Sequence, residues 1–318
     1  MIQKHVIGRL GNQMFQYATI RAFQIKNRPN DEILLDFSEV YEKDSSGYKE
    51  ELSYFNISNV KYGKAKVSFS QRFAIFCMNI VKSIVLVITG LNYNVRYNQM
   101  LYSFECSIQR LINRFGLYSF RLGYYEFKNT SKKNLVFYGT FESSKYFDDI
   151  KDVLIEEFTP KYGIIEKNKK LYEMIEKTNS VCVTIRRGDF VTDPGFKKNL
   201  YVCDENYFYK AIEYMKRNVK NAKFFVFSDD VEWCKKNMKF PKDTVYESGD
   251  DPIWEKLRLM YSCKHFIISN STFSWWAQYL SRNKDKVVVA PSRWGNLEYK
   301  GKGIKTDIFE DDWYLIDV

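Results

Sequence analysis

A chain of 318 residues that is 45% hydrophobic and has six prolines can bury two cores of roughly 150 residues each, which excludes a disordered or fibrous protein. Its six cysteines are scattered without a Cys-x-x-Cys and it has only two histidines, so a disulfide framework, a zinc site and a Ser–His–Asp triad are all disfavoured. The net charge of +10 lies wholly in residues 52–133, which carry twelve Lys/Arg against Glu105 and Glu126, while the remainder is balanced.

The start, Met1-Ile2-Gln3-Lys4, lacks the shape of a cleavable signal. His5-Val6-Ile7 reads as a strand. It runs into Gly8-Arg9-Leu10-Gly11-Asn12-Gln13-Met14-Phe15-Gln16-Tyr17-Ala18, a glycine-bracketed turn opening a helix over about 12–27. Such a turn brings backbone N–H groups and the positive helix end to a polar ligand. Pro29 stops the helix and Ile33–Asp36 is a strand, which completes a βαβ opening. Residues 37–68 are mixed and polar and give no clear element.

From Phe69 to Leu91 a helix is expected, with Arg72, Asn79, Lys82 and Ser83 on one stripe. The uncharged runs beside Lys82 are too short to span a bilayer. The two readings are a buried helix and a helix lying in a membrane interface. Residues 92–130 read as helix and loop. Across 52–133 sixteen Phe and Tyr accompany the basic residues, a composition suited to an anionic membrane surface or to nucleic acid. No RNA-binding signature supports the latter.

Leu135–Gly139 reads as a strand followed by Thr140-Phe141-Glu142-Ser143. Beyond a domain boundary near Pro160 the pattern is regular. Strands are expected at 181–186, 224–227, 244–247, 265–269 and 287–290, with helices at 206–220, 231–238, 251–263 and 271–282. Alternation of this kind makes a parallel doubly wound sheet. Ligands of such sheets bind outside the carboxyl ends of the strands. Here those ends carry Arg186-Arg187-Gly188-Asp189, Ser228-Asp229-Asp230 and Ser269-Asn270-Ser271-Thr272. Arginine forks match phosphate oxygens, and a hydroxyl-rich helix start, Ser271 to Ser274, cradles anions. A surface ion-pair cluster and simple N-capping are the competing readings. Isolated acidic pairs such as Asp229-Asp230 offer no ligand set for Mg²⁺. Together the three strand ends point to a nucleotide-diphosphate site.

Gly8–Ala18, Val181–Phe190, Phe225–Asp230 and Cys263–Leu280, with its Ser-Asn-Ser-Thr-Phe-Ser-Trp-Trp, resemble the ordered motifs of the family-eleven glycosyltransferases, the α-1,2-fucosyltransferases. The resemblance implies an α/β GT-B architecture, two Rossmann-like domains facing a central cleft. Residues 1–160 would be the acceptor-side domain with a basic aromatic insertion at about 52–133, and 161–318 the GDP-sugar-binding domain. It also implies inverting transfer of L-fucose from GDP-fucose to the 2-hydroxyl of a galactose, with no metal or other cofactor. Two positions depart from the family pattern. Thr184 stands where the family has histidine, and Glu142 where it usually has Gln.

On this reading Arg186 stabilises the departing phosphate. Arg187, Gly188, Ser228, Asp229, Asp230, Asn270, Ser271, Thr272 and Ser274 form the donor site. Gly8, Arg9, Gly11, Asn12 and Gln13 face fucose and acceptor. Glu142, Asp189 and Glu255 are the candidate bases, among which the sequence does not choose. The expected partners are GDP-fucose and a galactose-terminated or lipid-linked glycan of an O-antigen or capsule. Nucleic acid is not expected. The composition suits a bacterial cytoplasmic enzyme, peripheral on the inner face of the membrane through residues 52–133. A transferase using another nucleotide-sugar, and a non-catalytic RNA- or anionic-lipid-binding protein, are the alternatives.

Overall fold

The computed structural model describes residues 1–42, 48–89, 99–120, 123–296 and 307–318. The chain forms two compact units, Met1–Phe158 with Leu297–Phe309, and Thr159–Asn296 with Glu310–Val318. Asp307 is tied to the first unit, where its carboxylate accepts from the Tyr124 N–H at 2.8 Å and pairs with Lys145.

The first unit holds a parallel sheet of β1 (Ile2–His5), β2 (Ile33–Asp36), β3 (Val60–Tyr62), β4 (Leu117–Ser119) and β5 (Leu135–Tyr138), in the order β3-β2-β1-β5-β4. The strand expected at His5-Val6-Ile7 lies earlier, because Gln3 and Lys4 are buried despite their polarity. Gln3 exchanges two hydrogen bonds with the Lys66 backbone, at 2.7 and 3.2 Å. Lys4 Nζ donates to the His5 carbonyl. Helix Leu10–Asn27 is buried along most of its length. It stops before Arg28-Pro29, since the residue preceding proline avoids the helical region. Phe23 meets both Tyr118 and Phe137 at 5.2 Å, and those two rings stack at 4.4 Å.

Within residues 69–130, helix Phe69–Thr89 lies where a helix was expected, and helix Gln99–Ile112 falls in the stretch read only as helix and loop. Residues 90–98 and 121–122 of that segment lie outside the described residues. The first helix is not buried as a whole. Ala74 packs inward, but Phe69, Phe73, Phe76, Ile80, Ile84 and Val87 are exposed.

The second unit holds β6 (Asn179–Ile185), β7 (Ala222–Ser228), β8 (Val245–Tyr246), β9 (His265–Ile267), β10 (Val288–Pro291) and β11 (Tyr314–Ile316), in the order β11-β10-β9-β6-β7-β8, all parallel. Counted from β6, this is the doubly wound 3-2-1-4-5-6 arrangement. Its central strands are near-continuous apolar runs, as burial on both faces requires. Strands at 179–185, 222–228, 265–267 and 288–291 match the expected positions closely, whereas β3, β4 and β11 were not anticipated.

Candidate active site

Strand order reverses between β6 and β9 in the second unit and between β1 and β5 in the first. Each reversal opens a crevice at the carboxyl ends of its sheet.

In the second unit, the residues after β6 and β7 form one corner. The Arg186 guanidinium is held by the carboxylates of Asp189 and Asp229. Asp229 also accepts from the Arg187 N–H at 2.8 Å. A Cβ on Gly188 would meet Asp229 Oδ2 at 2.6 Å, so only glycine allows this close approach. Gly188→Ala is therefore expected to push Asp229 off Arg186. Catalytic efficiency should fall at least about tenfold, with the melting temperature nearly unchanged because the corner is at the surface. Steady-state kinetics beside a thermal melt checks it.

The two arginines differ. Arg187 lies over the Trp233 ring at 3.1 Å and reaches Asp230 at 3.5 Å, with 12% of its side chain exposed. Asp230 in turn caps helix Val231–Asn237 through the Trp233 N–H. Arg187 and Asp230 thus build the corner, while Arg186, 23% exposed, is the arginine that reaches its surface. The ion pairs of the competing reading are present, but on a built frame. Ser228 Oγ donates to the Ile185 carbonyl at 2.9 Å and accepts from the Asp230 N–H at 3.0 Å, joining β6 to the β7 turn.

Thr184, where the resemblance implies a histidine, lies on β6 facing β9. It is buried, donates to the Ile267 carbonyl at 3.4 Å and accepts from the Ser269 N–H at 3.1 Å. Its hydroxyl therefore clasps β6 to β9 at the point of reversal. Asn270 is likewise buried, donating to the carbonyls of Leu200 at 2.8 Å and Trp294 at 2.9 Å. Ser274 pairs with Ser269 at 3.1 Å. These residues shape the crevice and do not present their side chains to it. Ser271 and Thr272 are partly exposed at the start of helix Thr272–Leu280, where the Ser271 side chain makes no capping hydrogen bond. Trp275 and Trp276 are core anchors with no exposed surface.

Glu255 does not belong to the crevice. It is fully buried and bound by Arg258, with Nε at 2.9 Å, and it accepts from Asn168 Nδ2 at 3.2 Å and the Ile165 N–H at 3.3 Å. Such a carboxylate anchors residues 162–168 to helix Ile253–Ser262. Glu255→Ala removes a fully buried carboxylate from Arg258, Asn168 and the Ile165 N–H, although Arg258 keeps Tyr172 and the carbonyls of Tyr162 and Gly163. It should destabilise the protein by about 3 kcal/mol while leaving substrate KM unchanged. Denaturant unfolding tests this.

In the first unit, Gly8 has φ +80 and a Cβ there would meet Asn12 Nδ2 at 2.7 Å. Gln13 does not face a ligand. It is buried, donating to the carbonyls of Gly8 at 2.9 Å and Lys49 at 2.6 Å and accepting from the Glu51 N–H at 3.1 Å. Gly11 is buried too, whereas Asn12 is partly exposed. Arg9 lies over the Tyr48 ring at 5.1 Å.

Glu142 is partly exposed on the turn after β5, across the same reversal. That turn is strained: Gly139 has φ +130 and Phe141, a bulky residue, φ +54. Left-handed non-glycine residues of this kind gather at functional sites. Two groups at this edge escaped the sequence reading. His5 stands 3.5 Å from both Asp36 and Glu39, a partnership that only the fold creates. Glu51 accepts from the Leu10 N–H at 3.1 Å, and burial holds its carboxyl above the usual range.

The profile of Glycosyl transferase family 11 matches residues 118–317. The chain belongs to glycosyl transferase family 11. It is 31% identical over 312 residues to an α-1,2-colitosyltransferase of Escherichia coli, covering 94% of this chain and 93% of that one. It is 28% identical to the O-antigen biosynthesis glycosyltransferase WbnK of Escherichia coli, covering 92% and 95%. A galactoside α-(1,2)-fucosyltransferase 1 of Leontopithecus chrysomelas is 25% identical over 146 residues, covering 43% and 40%. This family-11 chain is thus a glycosyltransferase, and its two Rossmann-like units make it a GT-B protein.

Proposed function

We propose that the protein transfers L-fucose from GDP-fucose to the 2-hydroxyl of a terminal β-galactoside, with inversion and without a metal ion. The acceptor is a surface glycan or lipid-linked oligosaccharide handled at the inner face of the membrane. The observation that carries this reading is the Arg186 corner at the β6–β9 reversal of a family-11 chain.

In the reaction, the bond from C1 of fucose to the β-phosphate oxygen breaks and its electron pair passes to the phosphate. Galactose O2 bonds to C1, and its proton goes to a carboxylate or to the leaving phosphate. The negative charge growing on the phosphate requires a fixed cation. Arg186 supplies it by exchanging the Asp189 carboxylate for phosphate oxygens while Asp229 keeps the fork aimed. The N–H groups opening helix Thr272–Leu280 add their dipole. Within the first unit, Asn12 contacts the sugar and Glu142 is the base candidate, since Glu255 is buried in its own ion pair.

Linkage analysis of the product from a panel of galactose-terminated acceptors tests the reading. An α-1,2-fucosyl product, formed at the same rate in EDTA, is expected. Folded protein that releases no GDP from GDP-fucose with any β-galactoside would overturn it. Asn12→Ala should lower the transfer rate at least about a hundredfold and GDP affinity less than threefold, as for a group engaged only at the reacting sugar. The Escherichia coli colitosyltransferase, similar along nearly the whole chain, favours a second reading. Colitose is fucose without its 3-hydroxyl, and competition between the two GDP-sugars separates the readings.

A further inference from the structure

Helix Phe69–Thr89 packs on the first unit by one face only. Gln71 Nε2 donates to the carbonyls of Asn134 at 3.1 Å and Gly116 at 3.4 Å. Ala74, with Ile75 and Met78 beside it, meets Ile112, Leu117 and Val136. On the opposite face Phe69, Phe73, Phe76, Ile80, Ile84 and Val87 fall within about 80° of arc, at 100° per residue. All six are exposed, from 43% at Ile80 to 86% at Phe69. The stripe runs about 27 Å. A continuous apolar line of that length marks an interaction surface, unlike single exposed apolar residues.

Exposed cations lie near the N-terminal end of the helix. Arg72 stands beside the stripe, and Lys64 and Lys66 lead into the helix. Lys132 lies against Gly116, whose carbonyl Gln71 holds, and Lys133 and Arg114 are its exposed neighbours. In residues 52–133 the only acids are Glu105 and Glu126.

We infer that this face docks the protein on an anionic lipid bilayer, the helix lying in the membrane plane. The phenylalanine stripe enters below the headgroups, and the lysines and arginines meet the lipid phosphates. Charge decides the occupant. A second copy of the chain would press two strongly basic segments together, whereas anionic headgroups complement one. Among the described residues no helix is long and apolar enough to cross a membrane, so docking is in the plane. The inference stands apart from the transferase reading and would give a lipid-linked acceptor its working surface.

Co-sedimentation of the full chain with vesicles of phosphatidylcholine alone, and of phosphatidylcholine mixed with phosphatidylglycerol, tests it. Binding to the mixed vesicles should be at least about tenfold stronger at low salt. A Phe73→Ser/Phe76→Ser/Ile80→Ser variant should lose at least about a hundredfold of it. These side chains are exposed, so folding and transfer to a short soluble acceptor should be unchanged. Lys64→Gln/Lys66→Gln/Lys132→Gln/Lys133→Gln should bind both vesicle types equally. Equal binding of the unaltered protein to both vesicles, or full binding by the serine variant, overturns the inference. So does a serine variant that turns a dimer into a monomer with lipid binding unchanged, since the stripe then serves a second copy.

Discussion

Arg186→Ala is expected to lower kcat about a thousandfold, near the upper end for removing one stabilising donor from a reacting oxyanion (~4 kcal/mol). The reason is not only the lost cation. Asp189 and Asp229 both hold Arg186, and without it two carboxylates stand where the proposed reading brings the nucleotide phosphate. Donor binding should therefore weaken together with the rate. Arg186→Lys keeps a charge but not a fork that engages two carboxylates at once, and it should recover only part of the loss. The decisive measurement is a double-mutant cycle. Asp229→Asn in the Arg186→Ala background should restore roughly tenfold, because it removes one of the stranded charges. If the double variant is no better than the single one, electrostatics at this corner is not what limits transfer, and the phosphate is held elsewhere.

The second unit was legible because its strands are fully buried, so that Val181–Ile185 and Phe224–Phe227 stand out as apolar runs between amphipathic helices. The polar residues at their ends were then correctly gathered on one edge. Their division of labour was not legible. Asn270, Ser274 and Arg187 have the chemistry of ligand contacts, yet Asn270 and Ser274 are spent on backbone and side-chain partners and Arg187 on Trp233 and Asp230. Only coordinates reveal which amide or guanidinium is already satisfied. The first unit hid more. β1 has polar residues at Gln3, Lys4 and His5, so the apolar pair that follows it, Val6-Ile7, drew the strand two to three residues too late. β3 and β4 have three residues each, too short for periodicity to register. The partners of His5 arrive from β2 and the residues after it, contacts that no local spacing encodes.

Lys4→Met is expected to stabilise the protein in acid and neutral solution, and to do so progressively less as pH rises. Lys4 is fully buried in the middle of β1. Burial pulls its ammonium down to about 7, against the partial support of Glu39 and Asp36. Below pH 7 both the folded and the unfolded chain carry the proton, and the folded state bears the whole desolvation cost. Between pH 7 and the ordinary lysine range the unfolded chain binds more protons than the folded one, so stability rises with pH and the cost disappears. At 1.36 kcal/mol per pH unit the difference between variant and parent should fall from at most about 5 kcal/mol near pH 6 to nearly nothing near pH 10.5. Asp36 tolerates the loss. Burial opposes its charge, but hydrogen bonds from Ser38 and the Ala65 N–H, which the substitution leaves in place, hold its carboxyl below the usual range. Urea unfolding of parent and variant across this span measures the slope directly, and a constant difference would show that Lys4 does not titrate there. The same substitution should slow transfer. Lys4 Nζ holds the His5 carbonyl and lies 5.7 Å from the ring of Phe141, the strained residue that precedes Glu142. A buried cation that weakens the fold while bracing the turn beside the base candidate is the kind of exchange of stability for activity found at functional sites.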